Sequence, residues 1–186
     1  RIEAGSYLPE WFPEGDYRES YSARADLGGG VILDYIHELN YAQWFFGPIR
    51  TVSAMAGQQT GLDIETNDVA GILAETEDGT LCGFHLDYTQ RAYSRSCQII
   101  GEEGTIRWSW QDGCVEWYDA TTDRWDQFDR PDDWEPNDMY VAEMEQFLAC
   151  CRSGDSTTCP IACGRQDLAV ALAAREAADI GQRVQI

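Results

Sequence analysis

The stretch Gly28-Gly29-Gly30-Val31-Ile32-Leu33-Asp34-Tyr35-Ile36-His37-Glu38-Leu39-Asn40 places a helix behind a run of glycines, with an acid and an imidazole one turn apart. Residues three apart on a helix share a side, so the spacing predicts that Asp34 and His37 project together. Ile32, Ile36 and Leu39, with Trp44, Phe45 and Phe46 beyond them, give this helix a buried stripe, and Gly47-Pro48 stops it. The pair is thereby expected on a rigid element. A carboxylate beside an imidazole raises its basicity and fixes its orientation, which is what proton transfer near neutral pH requires.

Downstream, strand-like runs at residues 50 to 57, 68 to 77, 81 to 89, 94 to 101, 104 to 110 and 114 to 119 are separated by turn chemistry at Asp78-Gly79, Glu103-Gly104 and Asp112-Gly113. Turns this short imply antiparallel neighbours. Cys82, Phe84, Leu86 and Tyr88 alternate with Gly83, His85 and Asp87, and Ile106, Trp108 and Trp110 line up in the same way. One face should pack on helices. The other, expected to carry Trp and Tyr among polar residues, could stay solvated or meet a second subunit; its apolar content favours a twofold-related copy.

Arg130-Pro131-Asp132-Asp133-Trp134-Glu135-Pro136 breaks regular structure. Asn137 is then expected to cap a helix bearing Tyr140, Met144, Phe147, Leu148 and Cys151 at helical spacing, ended by Ser153-Gly154. A last helix from about Arg165 to Ile180 is Ala-rich, with Leu168, Leu172 and Ile180 expected inward and Gly181 closing it. The predicted fold class is α+β: one domain over residues 1 to 186, an open, mainly antiparallel sheet with helices on one face.

The chain has 186 residues, 44% of them apolar, enough for a substantial core, and no apolar run approaches the roughly 18 residues that span a bilayer. A formal charge of −20 excludes nucleic acid as a partner and disfavours anionic membranes. The absence of a G-x-S-x-G elbow or a P-loop leaves hydrolase and kinase chemistry without a nucleophile or phosphate cradle. Cys150, Cys151, Cys159 and Cys163 are close in sequence but lack paired C-x-x-C hooks, which argues against structural zinc. An odd count of seven cysteines suggests reduced thiols in a cytoplasmic protein. His85 beside Asp87 is read as a sheet-face residue.

The string from Gly28 to Gly47 resembles the segment that opens the C-terminal domain of the glucose-fructose oxidoreductase and inositol dehydrogenase (Gfo/Idh/MocA) family, where three glycines precede a helix with an acid, a His and an apolar end. Trp11, Tyr17-Arg18-Glu19-Ser20-Tyr21 and Arg24 are similar to that family's crossing segment, and the hairpins and last helix to the remainder, so the resemblance covers nearly the whole chain. It implies that His37 accepts the substrate's hydroxyl proton, with Asp34 beside it. Asn40 would then bind substrate, and Tyr17, Arg18, Tyr21 and Arg24 would bind substrate hydroxyls or a cofactor phosphate from the partner domain, although these four suit packing and ion pairing equally well. Two departures stand out: Asn40 replaces an Asp common in the family, and the acid-to-His spacing is three rather than four.

By the same resemblance the intact enzyme would use NAD or NADP to oxidise a hydroxyl of a sugar, sugar derivative or cyclitol. Relatives carry an N-terminal nucleotide-binding domain with a glycine fingerprint and a catalytic Lys. Here all thirteen basic residues are Arg, and Gly28 to Gly30 is not a G-x-G-x-x-G between strand and helix. The chain, opening at Arg1 without Met, is therefore read as a C-terminal substrate-binding and oligomerisation domain. Alone it should bind neither NAD nor NADP and be catalytically silent. The rival expectation is a non-catalytic binding, scaffold or dimerisation module of the same fold.

Overall fold

The computed structural model describes residues 1–186. Nine strands form one sheet: β1 (Ile2–Gly5), β2 (Ile49–Gly57), β3 (Val69–Thr76), β4 (Leu81–Asp87), β5 (Ser94–Gly101), β6 (Gly104–Ser109), β7 (Cys114–Asp119), β8 (Arg124–Asp129) and β9 (Val184–Gln185). Their spatial order is β8-β7-β6-β5-β1-β4-β3-β2-β9. Every pairing is antiparallel except β1 with β4, so β1 joins two antiparallel blocks, β2 to β4 and β5 to β8. The α+β class and the meander are as expected. Strands β1, β8 and β9 are additions to the predicted set: the first and last are too short for a period, and β8 is exposed along its whole length, leaving no inward pattern to read.

The helices are α1 (Val31–Asp34), α2 (Ile36–Phe46), α3 (Pro136–Ser153) and α4 (Ile161–Ile180). The single helix predicted after the glycine run is thus two, broken at Tyr35 (φ −94°, ψ 28°). Helix α3 begins two residues earlier than expected. Glu135 is its cap, in a reciprocal capping box with Asp138, and Pro136 fills the first helical position, so Asn137 lies inside the first turn.

On α4 the predicted inward face is wrong. Leu168, Leu172 and Ile180 are 44%, 49% and 51% exposed, whereas Val170, Ala171, Ala173, Ala174 and Ala177 are buried. Small side chains let this helix lie close on β2 and α2, and that geometry outweighs the greater hydrophobicity of the leucines. The core between helices and sheet joins these alanines to Ile32, Leu39, Val52, Ala70, Ile72, Cys82, Phe84 and Leu86. Each fully buried Leu or Ile there contributes about 1.5–3 kcal/mol.

Helices α2 and α4 cover only the β1 to β4 part of the sheet. Cys97, Trp108, Val115 and Phe128 are cross-strand neighbours and so share the helix side, where Trp108 and Val115 are partly exposed and Phe128 is 57% exposed. The opposite face carries Glu3, Ser96, Gln98, Arg107 and Glu116 over that half. Over the other half it shows Met55, 83% exposed, with Leu73 and Leu81. The open face is thus aliphatic and glycine-floored over β2 to β4, while on its other half Tyr118 and Trp125 lie among the polar residues, with Arg107 over the Trp125 ring; Trp108 and Trp110 belong to the helix side. Helix α3 buries none of its residues, so Tyr140, Met144, Phe147 and Leu148 form an uncovered apolar stripe. No helix is long and apolar enough to cross a membrane.

Candidate functional site

The glycine run fixes where α1 starts. A Cβ on Gly29 would fall 2.0 Å from the Tyr21 carbonyl oxygen, and Gly30 has φ 117°, a conformation that other residues resist. Asn67 supplies the cap from far along the chain: Val31 N donates to its carbonyl and Ile32 N to its Oδ1 (3.0 and 3.3 Å).

At the end of α1, Asp34 Oδ2 accepts a 2.7 Å hydrogen bond from Tyr88 Oη. Tyr88 is fully buried at the end of β4, and burial, then the Asp34 carboxylate, push its phenol well above the usual range. Tyr35, at the helix break, shares a 2.8 Å hydrogen bond with Ser6 Oγ, which also accepts from Trp11 Nε1 at 2.7 Å. Burial lifts the Tyr35 phenol to about 12. The rings of Trp11, Tyr35 and Tyr88 pack with centroids 5.6–6.3 Å apart. Asp34 is thus held on a rigid aromatic wedge.

His37 is exposed at the head of α2 and makes no hydrogen bond or ion pair. No hydrogen bond or ion pair joins it to Asp34. The break at Tyr35 interrupts the helical register between them, so the predicted direct pairing is replaced by a phenol–carboxylate bond and a free imidazole. The next residue, Glu38, has a side chain only 1% exposed, with Oε1 2.8 Å from Arg95 Nε. The alignment there is that of an ion pair rather than a well-formed hydrogen bond. Burial raises the Glu38 carboxyl, and Arg95 partly offsets this. Arg95 heads an aromatic cleft of about 520 Å³ between α2 and the sheet, walled by Tyr41, Phe45, Trp108, Trp110 and Met139.

Four of the other five predicted site residues are engaged in local contacts. Asn40 Nδ2 donates to Asp167 Oδ2 (2.7 Å) and Gln43 Nε2 to Asp167 Oδ1 (2.6 Å), clamping α2 to α4. Tyr17 Oη accepts from Asp63 N, and Arg18 forms a forked pair with Asp16, whose carboxyl it holds at about 2. Arg24 pairs with Asp26 (2.7 Å). Tyr21 is exposed without a hydrogen bond. Sequence reasoning missed Tyr88, Glu38 and Arg95 as parts of this site. Only Glu38 left a signal, an acid on the buried stripe of α2 beside Leu39 and Ala42.

A family model described as the GFO/IDH/MocA C-terminal domain matches residues 3–107. This chain belongs to the Gfo/Idh/MocA family. Several solved structures share its fold. Levoglucosan dehydrogenase, solved with NADH and levoglucosan, has 14% identity and a TM-score of 0.86, covering 100% of this chain and 57% of its own. An oxidoreductase from Agrobacterium radiobacter, solved with NAD+, L-tartaric acid and magnesium, has 24% identity and a TM-score of 0.80, covering 100% and 55%. UDP-N-acetylglucosamine 3-dehydrogenase from Acidithiobacillus ferrooxidans has 20% identity and a TM-score of 0.73, covering 95% and 52%. The Gfo/Idh/MocA chain described above thus spans little more than half the length of these neighbours. No curated protein sequence matches it.

Proposed function

We propose that this domain supplies the substrate face and the proton acceptor of an NAD(P)-dependent oxidoreductase acting on a hydroxyl of a sugar, sugar derivative or cyclitol. The observation that carries this is the free, exposed imidazole of His37 at the head of α2, with Asp34 presented nearby by Tyr88. A nicotinamide held by the partner domain would supply the hydride acceptor for the carbinol carbon. His37 takes the hydroxyl proton. Asp34, its Oδ2 oriented by the phenol, contributes negative charge to the site and a second acceptor for a substrate hydroxyl.

The cofactor does not fit this chain's own glycine run. The first amides of α1 are already bonded to Asn67, and the helix they open has four residues, so no N-terminal anion site exists there. We therefore assign the pyrophosphate site and the catalytic Lys to a partner nucleotide-binding domain, in keeping with the length of the neighbours. Its docking surface would be the exposed stripe of α3 and the adjoining aromatic cleft. A second copy is proposed to cover Met55, Leu73 and Leu81 on the open face. The free thiols suit a reducing compartment, the cytoplasm.

The engagement of Asn40 with Asp167, and of Asp34 with Tyr88 rather than His37, favours the second reading, a binding module without chemistry. The two readings separate in the intact two-domain protein. His37→Ala should lower turnover by roughly a hundredfold while leaving cofactor affinity unchanged. Absence of any cofactor-dependent oxidation across sugars and cyclitols would support the module.

A further inference from the structure

His37, Tyr41 and Phe45 follow one another at four-residue steps on α2 and so share one side of it. Tyr41 and Phe45 wall the aromatic cleft, and Arg95, at its head, meets Glu38, the residue next to His37. The proposed proton acceptor and the cleft therefore lie along one side of one helix, about one turn apart. Apart from Arg95, every residue around the cleft is apolar or aromatic. Its volume of about 520 Å³ falls within the roughly 300–1,000 Å³ of small-molecule sites. Tyr41 Oη is buried and has no hydrogen-bond partner, and the Arg95 side chain, 24% exposed, has Glu38 as its one ionic partner. A buried donor without an acceptor is costly, so the cleft is short of an oxygen that the chain does not supply.

We propose, building on the reading of His37 as proton acceptor, that this cleft is the subsite for an aromatic group carried by the substrate, and that the substrate is an aryl glycoside, a sugar with a neutral aromatic ring on its anomeric oxygen. A sugar ring does not suit the cleft itself. Each of its hydroxyls would need a hydrogen-bond partner there, and beyond Arg95 and Tyr41 the walls offer none. A planar aromatic ring does suit it. Tyr41 and Phe45, with centroids 5.9 Å apart, line it from α2, and Trp108 and Trp110 from the sheet, so stacking and edge-on contacts add to plain burial. With the sugar at Asp34 and His37, the linking oxygen comes to the head of the cleft, where Arg95 can donate to it. The diphosphate of a nucleotide-linked sugar fits less well. It would pass the carboxylates of Asp34 and Glu38, Arg95 is already paired, and Arg130, over the Trp134 ring, lines the neighbouring cavity instead. Met139, in the first turn of α3, also lines the cleft, so a nucleotide-binding domain docked on α3 would roof it and leave its floor to the substrate.

The test is calorimetric titration of the full chain with the p-nitrophenyl and methyl glycosides of glucose and galactose, and with UDP-glucose. The p-nitrophenyl glycoside of at least one sugar should bind about tenfold or more tighter than its methyl counterpart. Phe45→Ala and Met139→Ala, at half-exposed positions on two different helices, should each reduce that preference severalfold. Equal affinity for the two glycosides, no binding of either p-nitrophenyl glycoside at millimolar concentration, or a preference untouched by both substitutions would overturn the proposal. Tighter binding of UDP-glucose than of either p-nitrophenyl glycoside would overturn it in favour of a nucleotide-linked sugar. Because the preference is read as binding, it is separable from the catalytic reading: an aryl preference retained in an intact protein whose turnover ignores His37→Ala would remove the proton acceptor and leave the subsite.

Discussion

Glu38 shows how one side chain governs both the site and its pH response. It lies next to the proposed proton acceptor but points the other way, into the core, where Arg95 is its counter-ion. Because burial raises its carboxyl, the folded state holds the proton more tightly than the unfolded chain does. The stability this contributes is present below the unfolded value and is lost as pH rises through the folded one. Denaturant titrations from pH 4 upward should therefore show Glu38→Gln losing less stability across this window than the unsubstituted chain. A parallel pH dependence in both would refute the assignment. Tyr88→Phe removes the hydrogen bond to Asp34 with little change in packing; it should cost about 1–2 kcal/mol in folding stability, read from urea midpoints. His37 and Asp34 could be put forward from the sequence because they fall on one short segment. Tyr88 was not, since it reaches Asp34 across 54 positions and only the folded sheet brings them together.

Among the elements, the meander was legible because its turns are short and β4 alternates cleanly; β8 was not, because it has no buried side to impose a period. The helix break at Tyr35 left no sequence mark such as Pro or Gly. It follows from the tertiary demand that Tyr35 reach Ser6 while Asn67 holds the first turn. The inward face of α4 was misread by hydrophobicity because close approach selects Ala over Leu. Asp167 on that helix is 5% exposed and satisfied by two amides, so Asp167→Ala should cost about 2–3 kcal/mol. Loss of that size should be visible as a lowered urea midpoint, and a change within 0.5 kcal/mol would show the clamp to be dispensable. Gly29→Ala drives a methyl into backbone oxygens of residues 21 and 22, and the first turn of α1 must shift. Reduced hydrogen-exchange protection confined to α1 and the 3-10 turns before it is the expected signature.

For the whole molecule, the two uncovered apolar regions are proposed to meet different partners: the open face a second copy, the α3 stripe and cleft a nucleotide-binding domain. With a formal charge of −20 on each chain, association through Met55, Leu73 and Leu81 should strengthen as salt screens repulsion. Light scattering on the chain at low and high salt checks this. Met55→Glu should abolish the dimer without unfolding the chain, and a monomer at every salt concentration would remove the interface. The central claim, that His37 takes the proton, is tested most directly by chemical rescue in the intact two-domain enzyme. Turnover of His37→Ala is measured with and without added imidazole. The account predicts a loss of roughly a hundredfold, partly restored by imidazole at unchanged cofactor affinity. Turnover equal to that of the unsubstituted enzyme, with imidazole making no difference, would contradict it.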